Sequence, residues 1–478
     1  MYFASLEIEN VKCFGERQSL HLRDGEGKIS RWTLLLGDNG VGKTTLLKCL
    51  SWMKPVKVPP PPPPPNTEFP EDAEKKDSEK NEDKDVEIKP LMDDFDDESE
   101  FEQLIRVGNN VKTQIRGTFS NGVDLGQIPP DDSLVTVAMN FEKKDGKLEI
   151  ITPDYGQLPK FNTPTVFAYS ASRHMALKNF EKSNIKDPLS NLFSQSADLY
   201  DAEEVLSNLN YASINEQLEN QKAGGEAKEG KATALLVKVK QILKDLLPDI
   251  ESTEWIIINP PLSKTGAKTG NLVEIQTPYG KVPLFELSLG YKTMLAWTVD
   301  LALRMLWRHP DIDKPLDEPA VVIVDEIDLH LHPKWQRIVR TYLTSHFRNT
   351  QFICTAHSPI MAQSSDSENL CVLHKFGSEV HIENNPSIVR GWRIGQVVTS
   401  DLFGISERSP EIEKEVNERR YLLDKENPTT EEKETLKRMN EELSKLPVTD
   451  NEEDQNLLDK IHKAAQLLKD KGLLNDQD

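Results

Sequence analysis

Residues 37–45, GDNGVGKTT, have the residue types and spacing of a phosphate-binding loop. The segment follows an apolar stretch and opens a helical pattern, which is the context that such a loop requires. The glycines let backbone N–H groups surround an anion, while Lys43 reaches the β- and γ-phosphates and the Thr44 hydroxyl binds Mg²⁺. The predicted nucleotide-binding residues here are Gly37, Asn39, Gly40, Gly42, Lys43, Thr44 and Thr45.

A second group of chemically capable residues lies in 321–336, VVIVDEIDLHLHPKWQ. Two interpretations are open: a metal cage that includes His330 and His332, or the catalytic edge of a nucleotide-binding sheet. In the second, Asp325 holds Mg²⁺ through water and Glu326 is the general base that polarises the attacking water. The phosphate-binding loop upstream favours the second interpretation, and no third metal ligand is apparent beside the two histidines.

A third candidate anion site is the segment 287–291, LSLGY, which directly precedes a long helical pattern. The hydroxyl of Ser288, the backbone N–H of Gly290 and the helix N-terminus together can bind an anion. Alone, this combination is typical of a capped helix start. Because the segment lies between the phosphate-binding loop and the Asp325–Glu326 pair in the sequence, it is also a candidate part of the nucleotide site.

In this order the motifs resemble those of the ABC-type ATPase heads of the SMC/RecF class. The resemblance rests on GDNGVGKTT (Walker A), LSLGY (signature), VVIVDE (Walker B) and QFICTAHSP, in which His357 matches the switch histidine. It implies that ATP and Mg²⁺ are bound between two heads, with Ser288 and Gly290 of one chain touching the γ-phosphate held by Lys43 of the other. A homodimer or a higher even-numbered oligomer follows from this arrangement.

The same resemblance implies roles for residues around these motifs. Asp328 and His332 fall in the D-loop and are expected at the dimer interface, where SMC heads end this motif in an aspartate. The segment 167–173, FAYSASR, stands where a Q-loop belongs. It lacks a clear glutamine, so Ser172 and Arg173 are the candidates for lining the site.

Within the class, LSLGYKTMLAW, DEIDLHLHP, TAHSP and GWRIGQVVTSDLFGI look like PtuA, the ATPase of Septu and some retron anti-phage systems. This implies a sensor and scaffold that controls a separately encoded HNH-type (PtuB-like) nuclease. In retrons, a reverse transcriptase and its non-coding RNA/DNA are further partners. After residue 391 the sequence is charged and helical and lacks the acidic strand ends of a Toprim nuclease, so we expect no built-in nuclease.

Two other functions remain open from the sequence. One is a RecF- or SMC-like DNA repair ATPase, which the lysines between 222 and 244 would serve by binding DNA, although such a run is usually a solvated helix face. The other is a metal-dependent hydrolase built on the histidines. Nucleic acid therefore remains open as a partner.

The net charge is −21 over 478 residues, but it is uneven: residues 66–102 carry −12 and residues 405–478 carry −7. The remainder is nearly neutral, so the overall charge does not exclude a local basic surface. The N-terminus lacks the pattern of a signal peptide, and no apolar run reaches the length of a membrane span. These features predict a cytoplasmic protein without a membrane partner.

The predicted fold class is α/β, a two-lobed ABC-type P-loop NTPase head with an antiparallel β subdomain and a parallel α/β core. Residues 1–170 form the first lobe, with a disordered Pro-rich and acidic insert at 55–102; hairpin turns are expected at 121–122 and 145–146. Residues 171–275 are a short helical insertion with return strands. Residues 276–395 form the second lobe, and 396–478 a helical tail with an apolar stripe at 457–468 that docks an effector or packs on the head.

Overall fold

The computed structural model describes the greater part of the chain, in two compact units, 1–403 and 404–478, each described here by itself. The described residues are 1–57, 86–91, 104–106, 112–144, 147–154, 156–158, 163–172, 189–193, 199, 202–222, 230–246, 250–260, 273–277, 280–287, 289–310, 312–365, 370–386, 392–400, 402–404, 406, 408–423, 425 and 429–443.

A six-stranded sheet forms the centre of the first unit. Its strands, in spatial order, are β10 (Val166–Tyr169), β14 (Ala320–Val324), β15 (Thr350–Thr355), β3 (Trp32–Gly37), β16 (Leu370–Phe376) and β17 (Glu379–Asn384). The first five are parallel and β17 is antiparallel. Strands β10, β14 and β15 are buried along their whole length, which is why they read as continuous apolar runs. The predicted parallel core is confirmed.

Helices cover this sheet at its functional edge and along its faces. They are α1 (Lys43–Trp52), α5 (Leu289–Arg308), α6 (Pro333–His346), α7 (Pro359–Ser364) and α8 (Ile394–Thr399). Helix α1 buries Leu46, Leu47 and Leu50 in one core cluster, while α5 contributes Trp297 and Leu301 to a second. The phosphate-binding loop and the segment after β14 are therefore anchored on elements packed from both sides.

The predicted antiparallel subdomain is a five-stranded sheet in the order β2 (Gln18–His21), β1 (Tyr2–Glu9), β6 (Lys112–Ser120), β7 (Leu134–Lys144) and β8 (Lys147–Asp154). The predicted tight hairpin at 121–122 is wrong: residues 121–133 form one long connection, in which the Asn121 N–H bonds the Ser133 carbonyl at 2.9 Å. An Asn-Gly pair indicates a turn, but it does not fix how soon the next strand begins. The other predicted turn, 145–146, lies outside the described residues.

The expectation that 55–102 is disordered throughout needs correction. Strand β4 (Pro55–Lys57) pairs with β5 (Val86–Pro90), and β5 pairs with β9 (Gly156–Leu158). The side chain of Ile88 is fully buried in the core. A short alternating segment inside a charged run can thus bury enough apolar surface to be ordered. The polyproline run and the rest of the acidic stretch lie outside the described residues.

The helical insertion consists of α2 (Ser190–Phe193), α3 (Ala202–Lys222) and α4 (Lys231–Leu246), followed by β11 (Ile256–Ile258), β12 (Val273–Thr277) and β13 (Gly280–Pro283). Glu216 on α3 accepts hydrogen bonds from the backbone N–H groups of Ala232 and Thr233, at 2.9 and 3.1 Å, which caps α4. Helices α3 and α4 share a core cluster with α5, which links them to the signature segment.

The second unit contains α9 (Pro410–Leu423) and α10 (Thr430–Leu443). Helix α10 begins with a capping box: the Thr429 N–H bonds Glu432 Oε2 at 2.8 Å, and the Glu432 N–H bonds Thr429 Oγ1 at 3.3 Å. The predicted stripe at 457–468 lies outside the described residues. No helix in the described parts of the chain is long and apolar enough to span a membrane.

Candidate active site

The strand order brings three motifs to one edge of the central sheet. Strand β15 lies between β3, which leads into the phosphate-binding loop, and β14, which leads to Asp325. In the register, Cys354 pairs with both Leu34 and Val324, so β14 and β15 end within one residue of each other, while β3 continues for three more residues to Gly37. Because parallel strands present their carboxyl ends together, the loop, the Asp325–Glu326 pair and the segment after Thr355 meet there.

The phosphate-binding loop is held in shape by the turn after β1. Gly42 lies in the left-handed region, with φ of 93°, and a Cβ atom there would come within 2.8 Å of Cys13 Sγ and 2.7 Å of the Phe14 ring. Only glycine therefore fits between this turn and the start of α1. No side chain caps α1, so its first N–H groups remain available to phosphate oxygens.

Lys43 occupies the centre of the loop. Its Nζ donates to the carbonyl oxygens of Gly37 and Asp38, at 2.7 and 2.8 Å, and only 6% of the residue is exposed. Burial lowers the pKa of Lys43, and the neighbouring carboxylates, Asp325 foremost, oppose that shift. A bound phosphate would replace the two carbonyl oxygens as the hydrogen-bond acceptor of the Lys43 ammonium group.

A chain of hydrogen bonds joins the loop to the end of β14. Thr44 Oγ1 donates to Asp325 Oδ2 at 2.7 Å, and Thr355 Oγ1 donates to Asp325 Oδ1 at 2.6 Å. The same Thr355 oxygen accepts the backbone N–H of Glu326 at 2.7 Å. A hydroxyl and a carboxylate this close are the oxygen donors that Mg²⁺ prefers, so the predicted metal residues fit the ion.

Thr355 is the functional residue that the sequence analysis did not single out. It is fully buried at the end of β15 and fixes both carboxylate residues at once. The Asp325 N–H is in turn held by the Tyr169 carbonyl of β10, at 2.8 Å. The only signal in the sequence is that Thr355 is a polar residue at the end of an apolar strand, since the position of that strand between β3 and β14 comes from the structure.

Glu326 begins the D-loop in an unusual backbone conformation. Its φ is 49° and that of His330 is 63°, both in a region that non-glycine residues seldom adopt. Asp328 Oδ2 accepts the backbone N–H of His357 at 2.9 Å, which ties the D-loop to the predicted switch segment. The His332 side chain accepts the Lys334 N–H at 3.2 Å and caps α6. The predicted roles of Asp328 and His332 at a dimer interface stay predictions.

The signature glycine packs against the D-loop of its own chain. A Cβ atom on Gly290 would lie 2.5 Å from the His330 carbonyl oxygen, a backbone atom that cannot swing aside. The helix α5 begins at Leu289, so the predicted capped start is close to the observed one. Ser288 lies outside the described residues, as does Arg173. Ser172 is half-buried, with its Oγ 3.2 Å from Ser170 Oγ.

A buried polar cluster connects helix α5 to this edge of the sheet. The Tyr169 hydroxyl donates to Asp300 Oδ2 at 2.8 Å, and Arg304 Nε donates to the same oxygen at 2.7 Å. Asp300 is fully buried, and the Tyr169 ring packs on Trp297. Tyr169 thereby holds Asp325 through its backbone and α5 through its side chain.

The metal cage considered for the histidines has no structural counterpart in the described ranges. Within them, no group of three or more His, Cys, Asp or Glu side chains could hold a metal ion. His330 and His332 are both exposed. Their backbone and side-chain contacts shape the D-loop and cap a helix instead.

Comparison with known proteins finds relatives that are named as ATPases. Residues 33–361 match the family described as "AAA domain, putative AbiEii toxin, Type IV TA system". The "Retron Ec83 probable ATPase" of Escherichia coli is 41% identical over 128 residues, 27% of this chain and 23% of the relative. The "Septu protein PtuA" of Bacillus thuringiensis is 31% identical over 161 residues, 32% of this chain and 40% of the relative.

The aligned segments thus span less than half the length of these two relatives. Among solved structures, the "SMC head domain from Thermotoga maritima" aligns over 80% of this chain and 99% of that one, with 14% identity and a TM-score of 0.38. The resemblance to PtuA and retron ATPases stated from the motifs is confirmed by the sequence relatives. Since the family match covers most of the chain, the protein belongs to this AAA-domain family.

Proposed function

We propose that this chain binds Mg-ATP at the edge of its central sheet and hydrolyses it to ADP and phosphate. The observation that carries the proposal is the hydrogen-bonded chain from Thr44 through Asp325 and Thr355 to the Glu326 backbone. It fixes a metal-binding carboxylate and a potential general base beside an open helix N-terminus. Oxygen donors, a buried lysine and N–H groups in one place are the parts that phosphoryl transfer uses.

Each residue has a distinct part in this scheme. Lys43 and the first N–H groups of α1 orient the β- and γ-phosphates and stabilise the charge that develops on them. Thr44 and Asp325 would hold Mg²⁺, which when bound neutralises phosphate oxygens. Glu326 accepts a proton from the attacking water. His357 would contact the γ-phosphate as the switch histidine, and its position two residues after β15 and the hydrogen bond of its N–H to Asp328 support that role.

We further propose that two heads close on ATP. In this arrangement Ser288 and the N-terminus of α5 complete the site of the partner chain, as the resemblance to SMC/RecF heads implies. Gly290 then has two tasks, since it also makes room for the D-loop of its own chain. ATP bound between the two heads would displace the D-loop. The hydrogen bond from the His357 N–H to Asp328 would pass that displacement on to the switch segment.

At the level of the cell, we propose a part in anti-phage defence. The named relatives are a retron ATPase and a Septu protein, and this chain is 41% and 31% identical to them over 128 and 161 residues. ATP-driven closure would control a separately encoded HNH-type nuclease, with a retron reverse transcriptase and its RNA/DNA as partners where such genes are adjacent. A DNA repair ATPase is the second candidate, and the exposed Lys334 and Arg337 of α6 favour it. DNA binding without a neighbouring effector would distinguish it from the first.

The decisive experiment expresses the gene with its neighbours and challenges the cells with phages. Lys43→Ala removes phosphate binding and should abolish protection. Glu326→Gln retains ATP and should change the level of protection. Purified protein supplies the biochemical readout, Mg-dependent phosphate release. Thr350→Val, a buried substitution on the same sheet, is the matched control. Full protection by both site variants would contradict control by the ATPase.

A further inference from the structure

Helix α6 carries a positive charge that stands out in an acidic protein. The segment 333–348 contains four Lys and Arg residues and no Asp or Glu, although the whole chain has a net charge of −21. Lys334 and Arg337 are exposed and, at a spacing of three residues, are neighbours on one face of α6. Arg348 is exposed two residues beyond the end of this helix, which is itself about 20 Å long.

A groove of about 520 Å³ opens at the C-terminal end of α6. Its apolar surface comes from α4, α5 and the short turn at Pro315–Asp317, and includes Val237, Leu306 and Leu316. His346 lines it as well, with its ring 4.4 Å from that of Tyr342. The groove has the size of a small-ligand site.

The mouth of this groove is positively charged. Lys238, Lys314 and Arg348 line it, against the carboxylates of Asp313 and Asp317. We call Lys334, Arg337 and Arg348, together with Lys238 and Lys314, the basic face. Among the residues that the structure describes, none of these five side chains has an ion-pair or hydrogen-bond partner. The five cationic side chains outnumber the two carboxylates that line the groove, which leaves an excess of positive charge for a polyanion.

We propose that the basic face binds single-stranded nucleic acid, with phosphates along α6 and one base inserted in the groove. Single-strand binding combines a cationic track for the phosphates with rings on which bases stack, and here the recess offers the His346 ring beside apolar side chains. The groove admits a nucleotide but is too small for a duplex. An acidic protein segment would match the charges but would leave the recess unused.

The site uses no residue of the ATPase centre. A bound nucleic acid strand would lie on α6, the helix that directly follows the D-loop. The biological use of the site rests on the proposed function, since an ATPase that governs a nuclease needs contact with the nucleic acid. Binding itself does not require ATP.

The test is fluorescence anisotropy of an end-labelled oligothymidylate of about 12 nucleotides, without ATP, across a salt series. Wild type should bind, and Arg337→Glu/Arg348→Glu should weaken binding at least about tenfold and flatten the salt dependence. Lys281→Glu/Lys375→Glu makes the same charge change on exposed strand positions that do not line the groove. This control should bind within about twofold of wild type.

Three results would overturn the proposal. They are equal binding by the basic-face variant and wild type, tighter binding of a duplex of the same length, and displacement by polyglutamate as effective as by unlabelled oligonucleotide. Lys43→Ala separates the two proposals, because it should lose ATP hydrolysis and keep oligonucleotide binding. The Arg337→Glu/Arg348→Glu variant should keep ATP hydrolysis and lose oligonucleotide binding. Wild type that hydrolyses ATP but binds no oligonucleotide refutes this inference alone.

Discussion

Replacing Thr355 by valine removes one hydroxyl and nearly nothing else, yet that hydroxyl joins both acidic residues of the site. It donates to Asp325 Oδ1 at 2.6 Å and accepts the Glu326 N–H at 2.7 Å, in a fully buried position. The bond to Asp325 is charge-assisted. The valine variant would leave a buried N–H without this acceptor and a carboxylate with one donor fewer.

The expected loss of stability follows from these two hydrogen bonds. A hydrogen bond to a charged group contributes about 1.5–3 kcal/mol and a neutral one about 0.5–1.5 kcal/mol. We therefore expect Thr355→Val to lower the free energy of unfolding by about 2–4 kcal/mol. Loss of alignment of Asp325 and Glu326 should also reduce the rate of hydrolysis at least tenfold, which corresponds to about 1.4 kcal/mol in the barrier.

The same strand supplies a matched control. Thr350 is also fully buried on β15, but its hydroxyl has no hydrogen-bond partner among the residues that the structure describes. Thr350→Val should therefore leave the free energy of unfolding unchanged or raise it, with unchanged hydrolysis. Thr355→Ser keeps the oxygen and should recover most of the wild-type rate.

Urea unfolding without nucleotide and steady-state phosphate release measure both quantities. If Thr355→Val and Thr350→Val destabilise the protein equally, the Thr355 hydroxyl has no special part in the site. If Thr355→Val hydrolyses ATP at the wild-type rate, alignment of the two carboxylates by Thr355 is refuted.

Three further predictions concern the loop, the signature helix and the buried cluster. Gly290→Ala should lower the free energy of unfolding of the nucleotide-free protein by about 1–3 kcal/mol, because its Cβ meets the His330 carbonyl at 2.5 Å; an unchanged urea midpoint would speak against the intrachain contact. Burial lowers the pKa of Lys43 and bound phosphates should raise it again, so ATP binding at an alkaline pH between the free and bound pKa values should take up protons. Calorimetry in two buffers of different ionisation enthalpy measures this uptake, and identical heats in both would contradict it. Tyr169→Phe should destabilise the protein by about 1–2 kcal/mol through loss of the bond to Asp300, and an unchanged thermal midpoint would refute that estimate.

The sequence alone predicts the parts of the site that are contiguous. The phosphate-binding loop lies between a strand and a helix as its spacing requires, and the apolar run of residues 321–324 ends at Asp325 as expected. Buried parallel strands and glycine-rich loops have local signals, since each depends on neighbours in the chain. The capping box at Thr429 is another example.

The contacts between distant segments were not predictable in the same way. Nothing in the sequence around Thr355 shows that β15 lies between β3 and β14, so its bonds to Asp325 and Glu326 emerge only with the strand order. Gly290 reads as a phosphate ligand, while its closest neighbour in this chain is the His330 carbonyl. Strand β5 is short and surrounded by charge, so its pairing with β4 and β9 outweighs a composition typical of disorder.

Complementation between two inactive variants tests the central claim, an ATP site shared by two heads. Lys43→Ala disables the phosphate-binding loop, and Ser288→Arg blocks the signature segment, so neither should release phosphate alone. An equimolar mixture should recover about a quarter of the wild-type rate, because half of the dimers are mixed and each mixed dimer has one intact site of two. A mixture as inactive as its components, or full activity of Ser288→Arg alone, would contradict the shared site.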